Sequence, residues 1–166
     1  MQKCNQTILG ISPGNRYTGI AIIKNGELLE WCTKTFNEAW STSKLIAILN
    51  CIDDFIEKYS VNAIALKISH LSRTSDEVTA VIEGIKELAI QECISIQAFT
   101  IEDIKEQICQ ETKSNMFEIM ELLSVRHNEL RCEYNKEVSN LNPYYRKVFE
   151  AVAVASMVKE SAKGNK

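Results

Sequence analysis

No stretch of this chain reaches the roughly 18 consecutive apolar residues of a membrane helix. The start Met1-Gln-Lys-Cys-Asn-Gln6 likewise holds no signal-peptide hydrophobic segment, so a cytoplasmic protein is expected. The chain also lacks any Cys-x-x-Cys pair. Its six cysteines (4, 32, 51, 93, 109 and 132) lie far apart, and only His70 and His127 could join them, which is not zinc spacing. Cys51, Cys93 and Cys109 sit among apolar residues and read as small core side chains. A basic surplus is missing as well: the net charge is −3 and the pI about 5.5. Phosphate-gripping proteins usually carry positive excess, so nucleic-acid binding starts at a disadvantage. Net charge says nothing about distribution, and Arg16, Lys34, Lys44, Arg73, Lys105 and Lys113 fall in or near predicted loops and helix starts. Only two prolines occur among 166 residues, and 45% are hydrophobic. That suits one well-cored α/β domain over 1–166 and is too short for two comfortable ones.

What is present reads as alternating strands and helices. Ile8, Leu9 and Ile11 form a buried strand, Ser12-Pro-Gly-Asn15 forces a turn, and Tyr17 to Ile23 is a second strand. Asn25-Gly26 suits a tight hairpin needing two positive φ angles, so residues 27–36 return as a third strand. Leu45, Ile46, Ile48, Leu49, Ile52, Phe55, Ile56 and Tyr59 recur at helical spacing behind the cap candidates Ser41 and Thr42. The run from Val61 to Ile68 is strand-like, and 76–91 is helical. Ser95 to Phe99 gives a fifth strand, after which Thr100 and Asp103 open a helix. A further helix is expected over about 114–130. Residues 131–143 have few apolar anchors and read as a flexible excursion. A last helix rich in Ala and Val runs over about 145–161, and 162–166 read as a frayed tail.

This order is that of the RNase H-like fold: a five-stranded mixed sheet, three strands antiparallel and two parallel, flanked by helices. Ile8-Leu-Gly-Ile-Ser-Pro-Gly-Asn-Arg-Tyr-Thr-Gly19 resembles the first motif of the RuvC Holliday-junction resolvase family, usually Ile-Leu-Gly-Ile-Asp-Pro-Gly-Ser-Arg-x-Thr-Gly. Asn62 to Lys67 is similar to the family's fourth strand, which ends in a catalytic Glu. Lys147-Val-Phe-Glu150-Ala-Val-Ala-Val-Ala155 is similar to its last helix, which opens Asp-x-x-Asp-Ala-x-Ala-x-Ala.

The resemblance implies phosphodiester hydrolysis by two Mg²⁺ ions roughly 3.5–4 Å apart, held by four carboxylates. Here those four positions read Ser12, Lys67, Lys147 and Glu150, and only Glu150 offers a carboxylate. An ammonium about 4 Å from a divalent ion is repelled by roughly 8 kcal/mol at an effective dielectric of about 20. No catalytic residue, metal or cofactor is therefore expected, and Lys67 or Lys147 is expected to pair with Glu150. Mg²⁺ enters only if the chain is an active structure-selective endonuclease.

Three function classes stay open. The first is a catalytically inactive RuvC-like protein that binds branched or duplex nucleic acid, using positions that match the family's contacts: Arg16, His70, Arg73, Lys105 and Lys113. The second is the active endonuclease. The third is a protein-interaction module, with a homodimer through the 76–91 helix implied by the family, or a partner at the longer 124–143 segment with Tyr134, Tyr144 and Tyr145. Actin-like sugar kinases share the opening hairpin but need a second phosphate-binding repeat and about twice this length.

Overall fold

The computed structural model describes residues 5–110, 115–140 and 143–158. Strands β1 (Thr7–Ser12), β2 (Tyr17–Lys24) and β3 (Glu27–Thr35) form the antiparallel meander. Strands β4 (Ala63–Lys67) and β5 (Ser95–Phe99) extend it in parallel, giving the order β3-β2-β1-β4-β5. Asn25 and Gly26 close the first hairpin with φ of 51° and 86°, the positive pair that a two-residue turn of this hand requires. Helices α1 (Thr42–Tyr59) and α2 (Asp76–Gln91) start at Ser41 and Ser75, whose hydroxyls accept from Lys44 N–H and Val78 N–H. Thr100 and Asp103 cap each other at α3 (Ile101–Ile104), which continues as one π turn over Lys105–Cys109. Then come α4 (Met116–Arg126), α5 (Arg131–Asn140) and α6 (Pro143–Met157).

The strands are apolar on both faces, and alternation sorts their side chains into two cores. Leu9, Ile11, Ile20, Ile22, Ile64 and Leu66 meet α1 and α2 on one face. Ile8, Ala21, Ile23, Ala63 and Ala65 meet α6 and α4 on the other. Small residues on this second face let α6 lie unusually close. A Cβ at Gly10 would strike the Ala151 carbonyl and Ala155 Cβ, and one at Gly19 would strike the Lys147 carbonyl.

Several expectations need correction. The helix expected through 130 stops at Arg126, because His127 turns extended (φ −124°, ψ 94°) and a short 3₁₀ turn, Asn128–Leu130, follows. Residues 131–140, expected to be an excursion, are helical: Glu137 is fully buried opposite Arg146 at 3.4 Å, and Tyr134 packs on the core. The last helix spans Pro143–Met157, and residues 159–161 of the expected helix lie outside the described residues. Cys93 is exposed in a positive-φ turn after α2, whereas Cys51 and Cys109 are half-buried. Lys44 is buried, donating to the Glu38 carbonyl at 2.7 Å. The 76–91 helix turns Val81, Ile82, Ile85 and Ala89 inward and leaves Ile90 exposed. Lys113 and the 162–166 tail lie outside the described residues. Among the described residues no helix is long and apolar enough to cross a membrane.

Replacing Gly10 or Gly19 by Ala should lower the unfolding free energy by about 1–3 kcal/mol, since helix backbone cannot yield to the added methyl. Urea unfolding checks this, with Gly26, which has open space around it, as the turn-strain comparison.

Candidate functional site

The site forms where β1 and β4, parallel neighbours, end together, the usual place for function in such sheets. Alternation decides which side chains reach it. Gly10 and Ala65 face α6, so Ser12 and Lys67, two residues further along each strand, face α6 as well. Lys147 and Glu150 sit one turn apart on α6. The close seat of α6 over Gly19 and Gly10 then carries them onto the strand ends.

Ser12, Lys67 and Lys147 meet at one oxygen, Glu150 Oε2. The Ser12 hydroxyl donates to it in a short bond. Lys67 Nζ and Lys147 Nζ each lie 3.9 Å from it. Lys147 also donates to the Pro13 carbonyl at 3.1 Å and to Ser12 Oγ at 3.4 Å, and Lys67 donates to Ser69 Oγ at 3.2 Å. The three charged side chains are only 11–22% exposed. Burial pushes the Lys147 pKa down; Glu150 pulls it up and Lys67 pushes it down further, and the net direction is downward.

This donor set does not fit a divalent metal. The single carboxylate is already taken by a hydroxyl and two ammonium groups, which stand where positive ions would have to approach. Among the described residues no three His, Cys, Asp or Glu side chains cluster as metal ligands. Burial pushes the Cys32 thiol up to about 11, so it stays protonated at neutral pH and is a poor ligand.

The expected nucleic-acid contacts fall at different distances from this cluster. Arg73 lines the same pocket as Lys67 and Lys147, together with Ser69, Thr74 and Ser75, three hydroxyls that the sequence reading missed. His70 is exposed, with Nε2 3.9 Å from Glu102 Oε2, and Lys105 lies on the same turn of chain as Glu102. Arg16 instead stacks over Tyr17 at 5.1 Å, and the Tyr17 ring meets the edge of Tyr144, which meets Tyr145. A larger cavity of ≈ 780 Å³ opens at the other end of the sheet, between Ile8, Leu28, His127 and Ala155, away from these residues.

The cluster makes two measurable demands on stability. Glu150→Gln leaves two part-buried ammonium groups without a carboxylate and should cost about 1–3 kcal/mol, below the range for fully buried pairs because solvent still reaches them. Urea unfolding with the Lys67→Met double mutant should recover part of that loss. The unfolded chain holds the Lys147 proton more tightly than the folded chain does. Protonated Lys147 therefore subtracts stability at neutral pH, and the deficit is relieved as pH rises through the depressed pKa towards 10.5. Between about pH 7 and about pH 10, the stability difference between parent and Lys147→Met should shift in favour of the parent.

A search of the curated proteins finds no match. The fold is shared with Thermus thermophilus RuvC in complex with Holliday junction substrate (15% identity, 91% of each chain, TM-score 0.72). A second Thermus thermophilus RuvC structure gives 11% identity over 91% of this chain and 92% of that one, with TM-score 0.69. The yeast mitochondrial Holliday junction resolvase Ydc2 gives 12% identity over 92% of this chain and 77% of that one, with TM-score 0.68. Over residues 8–129 the sequence itself matches the family described as Crossover junction endodeoxyribonuclease RuvC. That match stops before α6, so the placing of Lys147 and Glu150 rests on the geometry above. The chain belongs to the RuvC family.

Proposed function

We propose that this protein is a catalytically inactive member of the RuvC family that binds branched or duplex nucleic acid. The observation carrying the first half is the convergence of Ser12, Lys67 and Lys147 on Glu150 Oε2, an arrangement held together by its own cations. Two-metal hydrolysis needs several anionic oxygens to bind ions, activate water and stabilise a leaving oxygen. One carboxylate already hydrogen-bonded to Ser12 and flanked by two ammonium groups supplies none of this. Burial lowers the Lys147 pKa, the direction a general base needs, but its nitrogen is already engaged with the Pro13 carbonyl, Ser12 Oγ and Glu150.

Binding is supported by fold, family and position. A relative of the same fold was solved with a Holliday junction substrate. Arg73, Lys67 and Lys147 gather at one cleft despite the overall charge of −3, and His70 and Lys105 lie on the chain segments following β4 and β5. Arg16 lies over the Tyr17 ring, and Lys113 completes the basic positions matched to the family. Phosphate contacts position a duplex without any metal, so loss of cleavage leaves this capacity intact.

Purified protein should leave a four-way junction uncut in Mg²⁺ or Mn²⁺, while gel shifts show junction bound in preference to linear duplex. Affinity should fall between about 50 and 200 mM salt, by less than the roughly 10³-fold or more of a protein making 6–10 phosphate contacts. Cleavage abolished by Glu150→Gln would instead establish an active endonuclease. Folded protein that binds no junction at low salt would leave a protein-interaction role, by homodimer or other partner, as the better account.

A further inference from the structure

We infer that the pocket between Lys67, Lys147 and Arg73 binds a phosphoryl group directly and without divalent metal. This deepens the nucleic-acid reading by naming what its central site would hold.

The pocket measures ≈ 220 Å³ and lies between the ends of β1 and β4 and the start of α2. Its lining offers three cations and the hydroxyls of Ser69 and Ser75, with no carboxylate, while the Thr74 hydroxyl donates to the His70 carbonyl at 3.0 Å. Glu150 offsets one of the two lysines, so the cluster keeps the charge of one ammonium, and Arg73 adds a second positive charge. Arg73 is exposed, its backbone N–H fixed on the His70 carbonyl at 2.8 Å, and its side chain forms no ion pair with the described residues. Each ammonium has three donors. Lys67 gives one to Ser69, and Lys147 gives one each to Pro13 and Ser12, so both keep donors for a ligand.

Val78 and Ile82 form an apolar wall, which strengthens attraction between cations and an anion relative to an open surface. A phosphoryl group suits this lining better than a carboxylate, because it carries more charge and a third oxygen for the third cation. The disagreement with two-metal chemistry is thereby accounted for: fixed ammonium groups supply at this end of the sheet the positive charge that ions would bring.

The test titrates inorganic phosphate into the intact protein at low salt with EDTA present, by calorimetry, alongside gel shifts with junction DNA. Phosphate should bind, and Arg73→Gln and Lys67→Gln should each weaken it about tenfold. Arg73 stands outside the Glu150 cluster, so its variant carries the test if Lys67→Gln fails to fold. Absence of phosphate binding, binding that requires Mg²⁺, or binding indifferent to the variants overturns the inference. Junction binding that persists in that case, unaffected by Lys67→Gln and Arg73→Gln, leaves the nucleic-acid reading standing on other residues. Phosphate binding lost in the variants, with no junction binding by the parent, upholds the pocket and overturns the nucleic-acid reading in favour of a small phosphate ester.

Discussion

Everything at the functional end of this molecule depends on the seating of one helix. Two glycines, Gly10 and Gly19, remove the side chains that would hold α6 away from the sheet, and the alanines of α6 remove them from the other side. Ridge-and-groove packing with larger residues would set the axis further out. Lys147 and Glu150 would then fall short of the strand ends. Close packing and site geometry are here one constraint, so residues that look purely structural determine which charges meet.

The charges that meet have an internal logic. A cluster of acids on strand ends repels itself without ions, whereas two lysines and one glutamate attract. The price is desolvation, visible in the downward shift at Lys147, and it is met by the Pro13 carbonyl, the Ser12 hydroxyl and Glu150 acting together. The result is a positively biased cleft in an otherwise acidic protein. Charge distribution, not total charge, is what a phosphate ligand would experience.

Strand and hairpin positions were readable because both depend on local pattern: apolar runs of strand length and Asn25-Gly26 at the turn. The four-residue cluster was readable only through resemblance. Ser12 and Glu150 are separated by 138 positions, and no local signal joins them. Two features escaped for the same physical reason. Helix α5 is polar in composition and mostly exposed; Glu137, buried, pairs with Arg146 of α6, a contact between helices that composition cannot report. The hydroxyls of Ser69, Thr74 and Ser75 matter only because the turn after β4 folds back beside Lys67. The break at His127 is a change of backbone path that periodicity alone does not mark.

The position of α6 along the chain also bears on biosynthesis. The face of the sheet formed by α1 and α2 is covered soon after the strands it protects are made. The opposite face, with Ile8, Ala21, Ile23, Ala63 and Ala65, is not fully covered until residues 143–157 join α4 there. At roughly 5–20 residues per second, several seconds pass between completion of β5 and arrival of that helix. A nascent chain in this interval is a sheet wet on one side, with its apolar residues open to neighbouring chains. Sensitivity to truncation before α6 follows from a helix that is both the lid of the core and the last of the described elements in chain order.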